Sequence, residues 1–148
     1  MENQNKPMSF FRFEDLRIYH KSLDYFNWAI EQTKNANSFD QKIVLEQLTN
    51  AAMKTAVNIA EGSSRHKLQF VTFLKDAKSS VRECVVISTM AQRCGAFTEQ
   101  QYEQSKETLI EITKMLGAMI VSLQRGSNRE ETDPKSDINT SSEIDFEY

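Results

Sequence analysis

Four apolar stripes, each advancing by three and four residues, run through residues 13–125 and leave few folds open to the chain. In the first, Leu16, Tyr19, Leu23, Phe26 and Ile30 recur at the spacing that lines one face of a helix, which places a helix from about Phe13 to Lys34. Ser38 followed by Gln41 has the form of a capping box, and Leu45, Leu48, Ala52, Thr55 and Ile59 carry the second stripe to a stop at Gly62. Its alanines, Ala51, Ala52, Ala56 and Ala60, let a neighbouring helix approach closely. The third stripe begins near His66, with Phe70, Phe73, Ala77, Ser80, Cys84, Ile87 and Ala91 widened by Leu74, Val81 and Ser88, and ends at Gly95. Thr98 and Gln101 repeat the capping box before Tyr102, Ser105, Leu109, Ile112, Leu116, Met119 and Leu123, and Gly126 closes the fourth helix.

Only four Gly and two Pro occur in 148 residues, too few for the turns of a many-stranded protein. Three of the glycines fall where helices should end, and the short connections between stripes force consecutive helices to be antiparallel neighbours. The expected fold is all-α, an antiparallel up-down-up-down four-helix bundle. It divides the chain into a flexible N-terminus (1–12), the bundle (13–125) and a disordered acidic tail (126–148) with too few apolar residues to offset ordering entropy.

The net charge of −3 conceals an asymmetry. Residues 126–148 hold Arg129 and Lys135 against seven carboxylates, or −5, which leaves +2 for the preceding residues. The amino terminus has no apolar signal core, and no segment approaches the roughly 20 apolar residues of a membrane span, so a cytoplasmic protein is expected. Cys84 and Cys94 fall on one predicted helix, about 15 Å apart at the usual rise per residue, beyond disulfide reach. They read as reduced core residues.

Helix 1 carries a second apolar set. Ile18, Tyr25 and Trp28 lie opposite the Leu16 to Ile30 stripe, and one core cannot bury both. Val71, Val85 and Val86 stand off the core stripe of helix 3 in the same way. Scattered surface hydrophobes are one reading, and a self-association surface built on the tryptophan is the other.

No chemistry of bond-making is visible. His20 and His66 have no partner at metal-ligand spacing, there is no glycine-rich phosphate loop or nucleophile elbow, and Cys84 sits at a core position. Neither catalysis nor a metal or cofactor is expected. Three polar features remain. Asn58, Glu61 and Gly62, with Arg65 in reach of the Glu61 carboxylate, form either a recognition site at the bundle end or the brace of the turn between helices 2 and 3. Lys75, Lys78 and Arg82, extended by Arg65 and Lys67, form a basic stripe able to follow phosphates, or else a solvated face. The segment from Glu143 to Tyr148 mixes acid and apolar groups and could dock on a partner, fold back on a basic surface, or only solubilise.

The strings FEDLRIYHKS (13–22), QLTNAAMKTAVNIAEGSSR (47–65) and FVTFLKDAKSSVRE (70–83) resemble the four-helix-bundle family that includes proteins encoded in intervening sequences of bacterial 23S ribosomal RNA. NIAEG, from Asn58 to Gly62, is the most specific of them. The similarity extends to the accessory variability determinant of diversity-generating retroelements. It implies a bundle that assembles into a ring, typically a pentamer, with nucleic-acid binding, and in the retroelement branch a reverse transcriptase as partner. The leading expectation is therefore a self-assembling, non-catalytic bundle that associates with RNA or DNA through its basic helix faces. The alternative is a protein-interaction adaptor whose ring displays acidic tails to a protein partner.

Overall fold

The computed structural model describes residues 8–130, with side chains to Gly126. Within them the chain forms α1 (Arg17–Thr33), α2 (Phe39–Ser63), α3 (Lys67–Arg93) and α4 (Glu99–Glu130), preceded by one 3-10 turn, Arg12–Asp15. Each helix packs antiparallel on the next, most extensively α2 on α3, and a shorter α1–α4 contact closes the bundle. This is the four-helix architecture that the apolar stepping dictates, and no strand occurs among the described residues.

The helix starts follow from their caps. Ser38 Oγ accepts from the Gln41 backbone N–H at 3.2 Å, while Gln41 Oε1 accepts from the Asn37 N–H at 2.9 Å, one residue beyond the expected Ser38 partner. At α4 the box is complete: Thr98 Oγ1 accepts from the Gln101 N–H at 3.1 Å and Gln101 Oε1 from the Thr98 N–H at 2.8 Å. Each such cap satisfies helix-end donors and is worth about 1 kcal/mol.

The glycines divide differently from the sequence reading. Gly95, at φ 81°, stops α3 in the left-handed conformation that favours glycine. Gly62 lies inside α2 instead of beyond it: a Cβ there would sit 2.7 Å from both Phe73 Cβ and Phe70 Cδ2, so its absence lets α2 and α3 close at their shared end. Gly126 does not close α4, which continues to Glu130. A glycine terminates a helix only where the chain takes positive φ, and Gly126 does not. The beginning is corrected as well. The first regular helix starts at Arg17, four residues after Phe13, because Arg12–Asp15 forms a separate turn, with Ser9 tied to Asp15 by two hydrogen bonds of 3.1 Å. Residues 1–7 and 131–148, with most of the expected flexible N-terminus and disordered tail, lie outside the described residues.

Leu45, Leu48, Ile59, Leu74, Leu109, Ile112 and Leu116 are fully buried and form the centre. Burial of each such side chain contributes roughly 1.5–3 kcal/mol. In α1 the buried side is not the expected one. Ile18, Ser22, Tyr25 and Ala29 face the core, whereas Leu16, Tyr19, Leu23, Phe26 and Ile30 are half-buried along its flank. The Tyr25 hydroxyl settles the choice: it lies 2.8 Å from Ser105 Oγ, which lies 2.7 Å from Ser88 Oγ, so three buried hydroxyls from α1, α4 and α3 satisfy one another. Turning the Leu16–Ile30 stripe inward instead would take the Tyr25 hydroxyl away from Ser88 and Ser105.

Candidate nucleic-acid interface

Of the six residues expected on an association surface, the structure makes no single face. Ile18 and Tyr25 are each 3% exposed and Val71 is buried with them, so none of the three is available to a neighbour. Trp28 and Val85 are half-buried against the core, the indole stacked on Tyr25 with ring centroids 5.7 Å apart, and Val86 alone stands in solvent. The wet apolar surface lies elsewhere, in the groove between α1 and α2. There Phe13, Tyr19, Leu23 and Phe26 meet Met53, Ala56, Val57 and Ala60 around an open cavity of about 220 Å³. The signal for this inversion was in the sequence. Ser22 and Ala29 interleave with Ile18 and Tyr25 as small residues suited to close packing, and a purely hydrophobic count undervalues them.

The polar cluster at the end of α2 is a corner. Glu61 pairs with Arg65 across one helical turn at 3.8 Å, and the Arg65 guanidinium lies 5.5 Å from the centre of the Phe73 ring. Both side chains are about half exposed, so the pair adds little by itself. Together with Gly62, whose missing Cβ admits Phe70 and Phe73, these contacts brace the turn between α2 and α3. Asn58 is half-buried beside them.

The basic residues do come together. Lys67, Lys75, Lys78 and Arg82 recur along one side of α3, the side that faces α4. The register between the two helices follows from two contacts: Ser88 meets Ser105, and Lys67 Nζ lies 3.3 Å from where a Cβ on Gly126 would stand, the same interval along each helix. That register sets Lys75 level with Ala118 and Lys78 level with Met115, next to Lys114. Lys114 and Arg125 are exposed on α4 as well, but at 3.6 residues per turn they lie on the side of that helix opposite Ser105, Leu109, Ile112 and Leu116, away from the α3 row. Glu83 is drawn away by Lys54 of α2 at 3.3 Å and Glu111 by Lys21 of α1 at 2.9 Å. Between Lys67 and Arg82 on α3 and between Ile112 and Gly126 on α4, Asp76 is the single carboxylate. The result is a belt of four cations, Lys67, Lys75, Lys78 and Arg82, some 22 Å long at 1.5 Å per residue, about seven phosphates of a single strand.

The other reactive side chains do not form a site. Cys84 is wholly buried, and desolvation, helped by the nearby Glu83 charge, pushes its thiol up to about 12. Burial likewise raises the Tyr25 phenol. Cys94 is exposed at the end of α3, not in the core as expected. Among the described residues no group of three or more His, Cys, Asp or Glu side chains is placed to hold a metal, and no helix is long and apolar enough to cross a membrane.

Residues 14–118 match the sequence profile of the family described as 23S rRNA-intervening sequence protein. The chain belongs to that family. The matched span runs from the turn before α1 into the middle of α4, and so takes in the α2–α3 corner and the four cations of α3. No curated protein and no solved structure matches the chain.

Proposed function

We propose that this 23S rRNA-intervening sequence family protein is a non-catalytic, self-assembling bundle that associates with RNA or DNA by laying the α3 belt along a phosphate backbone. The observation that carries the reading is the segregation of charge: four cations on one flank of α3, with the neighbouring Glu83 engaged by Lys54 of α2. Phosphate contacts of this kind give affinity without base specificity. The test is fluorescence anisotropy with a labelled 20-nucleotide RNA and its DNA duplex equivalent. Binding at 50 mM salt should weaken with a log–log slope of about −3 for single strands if four phosphates are neutralised. Replacing Lys75 and Lys78 by Glu should lower affinity at least tenfold and flatten that slope by about 1.4. Absence of binding to either probe at 50 mM salt refutes the association.

Self-assembly is assigned to the α1–α2 groove, in place of the buried Ile18 and Tyr25. Met53 and Val57 are each about half exposed at its rim. Apolar side chains gathered in an exposed groove mark an association site better than scattered surface hydrophobes do. Light scattering should find an oligomer, a pentamer if the ring implied by the sequence resemblance holds. Phe26→Glu combined with Val57→Glu should yield a folded monomer; an unchanged mass for that variant removes the groove from the interface.

A further inference from the structure

The α3 belt begins near the end of α4. Gly126 is beside Lys67, the first cation of the belt, and α4 ends four residues further on, at Glu130. Residues 131–148 carry Glu131, Asp133, Asp137, Glu143, Asp145 and Glu147 against a single Lys135. We propose that this segment docks on the α3 belt of its own chain and occupies it in competition with external polyanions. The inference rests on the belt being an anion-binding surface, the reading given above, but does not require that the external anion be a nucleic acid.

Three features of the molecule favour this occupant. The first is complementarity: the belt holds Lys67, Lys75, Lys78 and Arg82, and the segment brings a net charge of the opposite sign. The second is reach. Eighteen residues can span up to about 60 Å, and the belt from Lys67 to Arg82 is roughly 22 Å long, so Glu143, Asp145 and Glu147 can lie anywhere along it. Tethering near Lys67 holds the segment at an effective concentration in the millimolar range, enough to make individually weak ion pairs count together. The third is the apolar pattern. Ile144, Phe146 and Tyr148 alternate with the last three carboxylates, so an extended strand shows acid on one side and apolar groups on the other. The belt has places for both: Val86 and Ile110 are exposed at its far end, and Gly117 leaves open space on α4, with nothing within 4 Å of where its Cβ would be. The apolar α1–α2 groove is a rival berth, but it offers no comparable row of cations.

Docking is read directly by attaching a nitroxide to Ser142→Cys in a Cys94→Ser background, Cys84 being buried and unreactive, and following amide resonances of the full chain. At 50 mM salt, broadening is expected around Lys75 and Lys78, lost at 500 mM salt and in the Lys75→Glu, Lys78→Glu variant. No broadening on α3, or broadening around Phe26 and Val57 that survives salt, overturns the proposal. So does broadening that appears only when spin-labelled and isotope-labelled chains are mixed, which assigns the contact to a neighbouring copy. Competition is read with the labelled 20-nucleotide RNA: the chain lacking residues 131–148 should bind at least tenfold more tightly at 50 mM salt than the full chain, and equal affinities refute the competition. If broadening is seen but neither chain binds RNA, the docked segment stands and the nucleic-acid function falls.

Discussion

Two glycines in helices offer a paired test of what the α2–α3 corner is for. Gly62→Ala and Gly117→Ala are the same chemical change, and in an unobstructed helix interior each should stabilise by about 1 kcal/mol through helix propensity. At Gly117 nothing lies within 4 Å of the added methyl, so that gain should be realised nearly in full. At Gly62 the methyl would stand 2.7 Å from Phe73 Cβ and from Phe70 Cδ2, and 3.2 Å from Phe70 Cε2, roughly 1 Å inside normal carbon–carbon contact. The Phe70 ring can turn away. Phe73 Cβ cannot, being fixed to the backbone of α3, so α2 and α3 must separate where they are most tightly joined.

Overpacking of this kind costs typically 1–3 kcal/mol. Set against a propensity gain reduced by Gly62's place at the end of α2, the net change should be a loss of about 1–2 kcal/mol, and the two variants should differ by about 2–3 kcal/mol. In thermal unfolding followed by far-ultraviolet circular dichroism, that separates their midpoints by about 10 °C, with wild type between them. Urea unfolding should show the same order with unchanged slopes, meaning that the native state is perturbed and not the unfolded one. A Gly62→Ala protein as stable as wild type would refute the reasoning, and the NIAEG string would then need a role other than packing.

The buried hydroxyl chain makes a second contrast. Tyr25→Phe leaves Ser88 and Ser105 paired and should cost about 1 kcal/mol, whereas Ser105→Ala orphans the hydroxyls of both Tyr25 and Ser88 and should cost about 2–4 kcal/mol in urea unfolding. The cysteines should differ in reactivity: a disulfide reagent should label exposed Cys94 at once and buried Cys84 only as fast as the chain unfolds. Cys84 also predicts a pH dependence. Its thiol, raised to about 12 in the fold, keeps a proton that the unfolded chain loses above about 8.5, so stability should fall as pH rises from about 9, by up to about 1.4 kcal/mol per unit. Above pH 10 the raised Tyr25 phenol acts in the same direction, so the cleanest comparison with Cys84→Ala lies between pH 8 and 10.

The sequence carries the helices because the signals for them are local. Apolar stepping and the two capping boxes each depend on residues within a few positions of one another, and Ser38, Thr98 and Gly95 act where that reasoning puts them. What a helix buries depends instead on residues far along the chain. Nothing near Tyr25 announces Ser105, 80 residues away, and without that partner the Ile18–Tyr25 side of α1 reads as the wet one. Gly62 fails as a stop signal for the same reason: its role is set by Phe70 and Phe73 of the next helix, not by the residues around it.

Charge follows the same logic. Lys75, Lys78 and Arg82 are visible as a stripe because they share a helix, but three residues of α3 diluted by Asp76 and Glu83 are a weak site. One long-range fact changes that balance: Lys54 engages Glu83 from α2. A surface row gains attraction for a polyanion as the sum of its charges, each contributing to counterion release, so neutralising one opposing carboxylate counts about as much as adding one lysine. The proposed surface is thus a property of how α2 and α3 are aligned. Lys54→Ala, which releases Glu83 beside Arg82, should weaken polyanion binding even though every cation of the row is kept, and an unchanged affinity would refute that coupling.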